Sequence, residues 1–310
     1  MFLGAKKSRI EQVHFSEIES SEVEVFMKRE DELHSEISGN KYRKLAFNLE
    51  EARRLNHTTL LTFGGAYSNH IAAAAAAGKE FKFKTIGVIR GDELEARLPE
   101  ILKENSTLRL AHENGMSFHF VSRTDYRKKT EPNFIQKLHE KFGDFYLVPE
   151  GGTNEFAVQG CELILEESDA QFDIICCSMG TGGTISGIIN STKNHQQVIG
   201  FPSLKGDFLK HEVVKYVRNK QNWSLNTAYS FGGYAKINKE LIEFINQFKN
   251  ETGIPLDPVY TGKMMFGIVD LIKKEKFKKG TKILAIHTGG LQGIAGMNIF
   301  LAEKNLPQLI

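Results

Sequence analysis

The chain lacks the features that mark membrane, secreted and disulfide-bonded proteins. No apolar run approaches the ~20 residues of a membrane span, and residues 1–7 have neither the apolar core nor the cleavage site of a secretory signal. There are only three cysteines, Cys161, Cys176 and Cys177, without a C-x-x-C spacing or a matching histidine pair for zinc. We therefore expect a soluble protein of the cytoplasm whose cysteines are small core residues.

An excess of either charge is also missing. The formal net charge is +2, from 40 Lys and Arg against 38 Asp and Glu. The basic clusters at 127–129 and 273–279 are short, and we interpret both as solvated surface, so nucleic-acid and membrane partners are not expected. Of the 310 residues, 41% are hydrophobic, which supplies the core of one large domain or two moderate ones.

Strand-like and helix-like segments alternate along the chain. Runs of β-branched or alternating apolar residues predict strands at 13–15, 23–28, 58–63, 84–90, 118–121, 145–149, 172–177, 198–201 and 282–287. Apolar residues at helical spacing predict helices at 40–55, 69–78, 98–111, 126–142 with a break near Pro132, 156–167, 207–219 and 238–251. A further helix is predicted after the glycine-rich stretch 178–187. This alternation predicts an α/β fold with mostly parallel strands and helices on both faces.

The stretch 38–45 places Lys41 in the first turn of an amphipathic helix. Ser38 and Asn40 are both good N-caps, and Leu45 and Leu49 continue the apolar face. The positive end of the helix dipole, together with burial, would lower the pKa of Lys41 toward the neutral amine, which is a nucleophile for an aldehyde. The alternative for this residue alone is a solvated surface lysine.

Two loops have the composition of anion sites. The segment 64–70 leads into a run of six alanines that stops at Gly78. Ser68 or Asn69 would cap this slim helix, whose first N–H groups attract a carboxylate. An ordinary capped turn is the alternative. The second loop has three glycines and two threonines within 180–184, which predicts a cup of N–H groups for a phosphate. It lacks the lysine of a P-loop, and Ile185 replaces the last glycine of the dinucleotide fingerprint, so a phosphate monoester with no separate metal suits it better.

Taken in order, these motifs resemble a known family. Asn40-Lys41 before a helix, 64–70 before the alanine helix, the loop 180–184, the stretch 260–263 and the segment 287–290 resemble the pyridoxal-phosphate enzymes of the tryptophan-synthase-β type, or fold type II. The chain is most similar to the branch that holds D-cysteine desulfhydrase and 1-aminocyclopropane-1-carboxylate deaminase. The resemblance covers residues 35 to 295 and implies two open, mostly parallel sheets flanked by helices, with pyridoxal 5′-phosphate as cofactor.

The resemblance also implies roles for individual residues. Lys41 would condense with the cofactor aldehyde, Asn69 would bind the 3′-oxygen of the pyridine, and Thr288 would face its nitrogen. The phosphate would be held by Gly180, Thr181, Gly182, Gly183 and Thr184. Ser68 and Tyr260 would act beside Lys41 in catalysis. The residues around the substrate would be Tyr67, Ser68, Asn69, His70, Tyr260 and Thr261, although we interpret His70 and His287 as stabilising their turns rather than transferring protons.

Two positions favour a D-cysteine desulfhydrase over a deaminase. Members that open the cyclopropane ring tend to have Glu and Leu where this chain has Thr261 and Thr288. A hydroxyl does not demand a protonated pyridine nitrogen, and the elimination of a thiol needs less of that electron sink. Tyr67 departs from the usual Gln and leaves the particular amino acid open. The deaminase, and a binding protein without catalysis, are the alternatives.

The resemblance also implies the domain organisation. We expect a large cofactor-binding domain from 1–44 and 156–310, a small domain from 45–155, the cofactor between them, and a homodimer.

Overall fold

The computed structural model describes residues 6–218 and 220–310. Residues 1–5 and Asn219 lie outside the described residues. Most of the N-terminal segment 1–7, considered as a secretory signal, and the predicted last residue of the helix 207–219 are therefore not described. Within the described parts, no helix is long and apolar enough to cross a membrane.

The larger sheet has six strands in the order β1-β2-β10-β7-β8-β9. These strands are β1 Ile10–Gln12, β2 Glu24–Lys28, β7 Ile174–Met179, β8 Gln197–Pro202, β9 Trp223–Leu225 and β10 Lys282–Ile286. Only the edge pair β1 and β2 is antiparallel. In β7 every residue after Ile174 is buried, as expected for a strand covered by helices on both faces.

The smaller sheet has four parallel strands in the order β5-β4-β3-β6. They are β3 Thr59–Gly64, β4 Lys84–Arg90, β5 Met116–Val121 and β6 Tyr146–Val148. The predicted α/β class with two mostly parallel sheets is therefore confirmed.

Twelve α-helices are found among the described residues. They are α1 Asn40–Arg54, α2 Asn69–Phe81, α3 Leu98–Glu104, α4 Ser106–Glu113, α5 Arg123–Tyr126, α6 Pro132–Phe142, α7 Glu155–Glu162, α8 Gly183–Ser191, α9 Phe208–Val214, α10 Lys239–Thr252, α11 Thr261–Lys273 and α12 Gly293–Glu303. All six alanines of α2 are buried. A Cβ on Gly78 would lie 2.2 Å from the Thr85 side chain, so this slim helix packs directly on β4. The helix continues to Phe81, past the predicted end at Gly78.

Several predicted elements were wrong in their bounds. The first strand is Ile10–Gln12 rather than 13–15, because the chain turns into a short 3-10 helix, Ser16–Ile18, immediately afterwards. The predicted helix 98–111 is two helices, since Asn105 has an extended backbone and its side chain accepts the N–H groups of Thr107 and Leu108. The helix 156–167 ends at Glu162, and the helix 207–219 ends at Val214.

The ends of the parallel strands position the site. Directly after β3 comes the loop before α2, directly after β7 the glycine loop before α8, and directly after β10 the segment 287–290. Ligands of open α/β sheets bind at such carboxyl ends.

Candidate active site

Helix α1 begins against the backbone that follows β10. Its N-cap is Gly39 at φ 63°, not Ser38 or Asn40 as predicted, because a residue without a side chain is required here. A Cβ on Gly39 would lie 2.0 Å from the carbonyl oxygen of Thr288, and the N–H of Asn40 donates to that same oxygen at 3.2 Å. The first turn of α1 is therefore fixed to the end of β10.

Lys41 lies in this first turn and points into a cleft. Its Nζ donates to Asn40 Oδ1 at 2.9 Å, and Asn40 Nδ2 donates to Thr184 Oγ1 at 2.8 Å. Burial, and next the ammonium of Lys44, lowers the pKa of Lys41 to about 7. Near neutral pH a large share of this residue is therefore a free amine, the form that attacks an aldehyde.

The glycine loop after β7 forms another wall of the cleft. Gly182 is the N-cap of α8 at φ 87°, so that the loop turns directly into the helix. This helix start has no side-chain cap, and Thr184 in its first turn is bonded to Asn40. Uncapped N–H groups at a helix start bind anions, and here they lie beside the first turn of α1.

Lys44 is a second lysine of the cleft, with its side chain buried, and the sequence reasoning missed it. Its Nζ donates to the carbonyl oxygen of Gly151 at 2.9 Å and to Thr153 Oγ1 at 2.8 Å, and it lies 3.5 Å from Thr181 Oγ1 of the glycine loop. Burial lowers its pKa. The signal was present in the sequence, because residues three apart share a helix face and Lys44 follows Lys41 at that spacing.

Water-sized molecules can occupy about 90 Å³ of the cleft. The structure brings together most of the predicted residues along it, together with several that were not predicted. The lining residues are Asn40, Lys41, Lys44, Ser68, Asn69, His70, Gly151, Ser178, Met179, Gly180, Thr181, Gly182, Thr184, Ile185, Tyr234, Tyr260, Thr288 and Gly289.

Three of the predicted residues do not line the cleft: Gly183, Tyr67 and Thr261. Tyr67 is 56% exposed, and its ring lies 2.9 Å from the position that a Cβ on Gly296 would take. The hydroxyl of Thr261 is buried, donates to Asp257 Oδ1 at 2.8 Å and accepts the N–H of Asp257 at 2.9 Å. Thr261 therefore holds the carboxylate that caps the start of α11.

His70 is a neutral histidine with one free nitrogen. The hydroxyl of Thr62 donates its only hydrogen to Val148 O at 2.8 Å, so His70 Nε2, 2.7 Å away, is the donor to Thr62 Oγ1. Its Nδ1 is buried and has no hydrogen-bond partner among the described residues. Burial, and then the charges of Lys41 and Lys44, hold the pKa of His70 well below its usual value.

Two tyrosines and two further hydroxyl side chains complete the lining of the cleft. The ring of Tyr234, which the sequence reasoning missed, packs edge to face against the ring of Tyr260 at a centroid distance of 6.2 Å. Burial, and then the neighbouring Tyr234, raises the pKa of Tyr260 well above its usual value, so this phenol keeps its proton. Ser178 Oγ and Thr288 Oγ1 are 2.9 Å apart.

These residues fit pyridoxal phosphate. Lys44 is an ammonium whose hydrogen-bond partners are neutral oxygens, and it lies beside an uncapped helix start, which is the donor set that a phosphate requires. Lys41 supplies an amine of lowered pKa, and Ser178 and Thr288 supply hydroxyls that can bond a ring nitrogen. The fold and the site thus have the donors and the amine that an α/β enzyme with a phosphorylated aldehyde cofactor requires.

The comparisons with known proteins agree with this class. A model of the family described as "pyridoxal-phosphate dependent enzyme" matches residues 8–289, and the chain belongs to this family. It is 31% identical over 297 residues to the bifunctional D-cysteine desulfhydrase/1-aminocyclopropane-1-carboxylate deaminase, mitochondrial, of Arabidopsis thaliana, over 87% of this chain and 73% of that protein. It is 26% identical over 290 residues to a D-cysteine desulfhydrase of Serratia proteamaculans, over 86% of each chain.

A solved structure supports the same assignment. The crystal structure of an ACC deaminase homologue, where ACC is 1-aminocyclopropane-1-carboxylate, matches with a TM-score of 0.80 at 27% identity, over 97% of this chain and 94% of that one. The predicted resemblance, the fold type II architecture and pyridoxal phosphate as the cofactor are therefore confirmed.

Proposed function

We propose that the protein eliminates the β-substituent of a small amino acid and that its substrate is D-cysteine, which yields pyruvate, ammonia and hydrogen sulfide. One observation carries the choice: among the described residues that line the cleft there is no Asp or Glu, whereas the hydroxyls of Ser178 and Thr288 are among the lining groups. When bound, the cofactor supplies an electron sink for the negative charge that forms at the substrate α-carbon. Without a carboxylate to hold a proton on its nitrogen this sink is weaker, which suits the loss of a good leaving group such as thiol.

The chain's own residues would divide the remaining work. The start of α2 binds the substrate carboxylate through Ser68 and the backbone N–H groups that follow it. Lys41, whose pKa is lowered to about 7, accepts the α-proton as a free amine. Tyr260, which keeps its proton, donates to the departing sulfur from the wall formed with Tyr234. Thr181, Thr184 and Lys44 hold the phosphate.

An assay with four amino acids tests the proposed function. Purified protein loaded with pyridoxal phosphate is given D-cysteine, L-cysteine, D-serine and 1-aminocyclopropane-1-carboxylate, and sulfide and keto acid are measured. We expect sulfide and pyruvate in equal amounts from D-cysteine. Turnover of the cyclopropane acid alone would transfer the assignment to the deaminase activity that also appears in the name of the Arabidopsis relative. Bound cofactor without turnover of any of the four amino acids would indicate a binding protein without catalysis.

The lowered pKa of Lys41 predicts how covalent capture of the cofactor depends on pH. Because only the free amine attacks the aldehyde, the capture rate of cofactor-free protein should rise with pH around a midpoint of about 7, well below the ~10.4 of an unperturbed lysine. Stopped-flow absorbance measures this rate. As the control, 4′-deoxypyridoxine phosphate has no aldehyde, and its binding should not show the same rise. A midpoint near that of a free lysine would contradict the environment described for Lys41.

The cellular location, oligomeric state and domain division of the protein are also part of the proposal. We propose a cytoplasmic homodimer with a large domain from 1–44 and 156–310 and a small domain from 45–155. In support, the six-stranded sheet is built from strands within the first set and the four-stranded sheet from strands within the second. Apolar side chains of α12, including Ile299 and Phe300, remain 46% and 44% exposed, which suits a subunit contact. Sedimentation should give about twice the 34.9 kDa chain mass, and a monomer would contradict the dimer.

A further inference from the structure

The loop that carries Tyr234 has an unusual backbone. Phe231, Gly232, Gly233 and Ala235 all have positive φ, at 51°, 93°, 119° and 54°. Two of these residues have a Cβ, and such residues seldom occupy the left-handed region. A segment in this state persists only where its surroundings fix it, and such segments concentrate at functional sites.

One face of α11 fixes this loop. Lys263, Phe266, Gly267 and Asp270 lie three, four and seven residues apart and therefore share a helix face. The loop residue Tyr229 uses two of them: its hydroxyl donates to Asp270 Oδ2 at 2.6 Å, and its ring lies 2.8 Å from the position of a Cβ on Gly267.

The middle of the loop is held by the other two residues of this face. The Phe231 ring contacts the ring of Phe266 edge to face at a centroid distance of 4.9 Å. Lys263 Nζ donates to the carbonyl oxygens of Ser230 at 2.9 Å and of Gly233 at 2.8 Å, directly before Tyr234.

Lys263 is 1% exposed, which is costly for an ammonium whose two bonded partners are neutral carbonyl oxygens. Burial lowers its pKa to about 8, against the opposing effect of Asp257. An apolar residue of similar length would fill the same space without this cost. What a methylene chain cannot do is bind two carbonyl oxygens on either side of the left-handed turn.

We propose that Lys263 is a positioning residue for the reaction, which acts through Tyr234. By binding Ser230 and Gly233 it holds the left-handed turn that presents the Tyr234 ring to Tyr260, the residue from which α11 starts. Helix α11 thus begins directly after Tyr260 and, through Lys263, orients Tyr234. The proposal rests on the proposed function only for its kinetic consequences, because the geometry of the loop can be tested without turnover.

The first test measures the loop itself. In Lys263→Met, hydrogen–deuterium exchange of the amides in 228–236 should be at least about tenfold faster than in the parent protein with bound pyridoxal phosphate. Lys28→Met is the matched control, because Lys28 of β2 is also 1% exposed but is paired with Asp169 and does not line the cleft. It should lower stability without changing exchange in the loop. Equal exchange in Lys263→Met and the parent would overturn the proposal.

The second test uses a double-mutant cycle with D-cysteine. Lys263→Met should keep the visible absorbance of the bound cofactor but lose about tenfold or more in kcat/KM. In a Tyr234→Ala background, which lacks the ring that Lys263 is proposed to position, the same change should cost less than about twofold. Losses that simply multiply would show that Lys263 acts elsewhere. If the parent itself does not turn over D-cysteine, the proposed function fails while the exchange test still decides the role of Lys263. If Lys263→Met does not fold, Lys263→Gln should show the same exchange effect at smaller size, and normal exchange in that variant would overturn the proposal.

Discussion

Lys41→Ala is expected to abolish turnover and the covalent attachment of the cofactor, with a loss in kcat of at least about a thousandfold. In the proposed function the amine at this position is both the group that attacks the aldehyde and the base that accepts the α-proton, so its removal should affect two steps. The visible absorbance of the bound cofactor should shift to that of the free aldehyde. Binding should persist, because the cup formed by the start of α8 and the ammonium of Lys44 do not depend on Lys41.

Two matched variants separate chemistry from structure in this experiment. Lys41→Arg keeps a positive charge in the first turn of α1 but has no amine that condenses with an aldehyde, and it should be as inactive as the alanine variant. Lys79→Ala removes an exposed lysine in the last turn of α2 and should leave absorbance and turnover unchanged. Turnover in Lys41→Ala within about tenfold of the parent would rule out Lys41 as the central residue.

Gly39→Ala is expected to have the largest effect on stability of any single methyl group added near the cleft. The new Cβ would lie 2.0 Å from Thr288 O and 2.7 Å from Gly289 N, both backbone atoms that cannot rotate away, and the residue must hold φ 63°. We expect the free energy of unfolding to fall by about 3 kcal/mol or more. Because the same contact fixes the first turn of α1 to the end of β10, cofactor affinity should fall as well.

A second glycine provides a control that isolates the free-energy cost of placing a non-glycine residue at positive φ. Gly253 has φ 73° at the C-terminus of α10, and nothing lies within 4 Å of a Cβ built there. Gly253→Ala should therefore cost only the ~1 kcal/mol of a left-handed non-glycine residue and leave cofactor binding unchanged. Denaturant unfolding of both variants, with cofactor titration, measures the two quantities. Equal destabilisation by the two substitutions would mean that the Gly39 contact with β10 is not tight.

Local patterns predicted the parts of the site that local physics determines. The lysine at a helix start, the alanine helix and the glycine loop each have the composition of the structure they form, and each follows or precedes a strand that the sequence indicates. The N-cap of α1 was missed for a different reason. Gly39 is required because Thr288, far along the chain, approaches to within 2.0 Å of where a Cβ would be, and no local pattern reports such an approach.

The residues that the sequence did not reveal belong to long-range geometry. Tyr234 lies on an irregular loop whose position depends on Lys263 and Phe266 of α11, a helix that periodicity did not predict. The strand β9 was missed because it has three residues at the edge of the sheet. Thr261 was placed near the substrate by resemblance, whereas its hydroxyl is used by Asp257.

Reductive labelling followed by peptide mapping tests the role of Lys41 most directly. The protein is incubated with pyridoxal phosphate, the bond between amine and aldehyde is reduced with borohydride, and the modified lysine is identified by mass spectrometry. We expect a single phosphopyridoxyl group on Lys41, whose pKa is lowered to about 7, and none on Lys44, although both amines line the same cleft. A label on Lys44, or one spread over surface lysines, would contradict it.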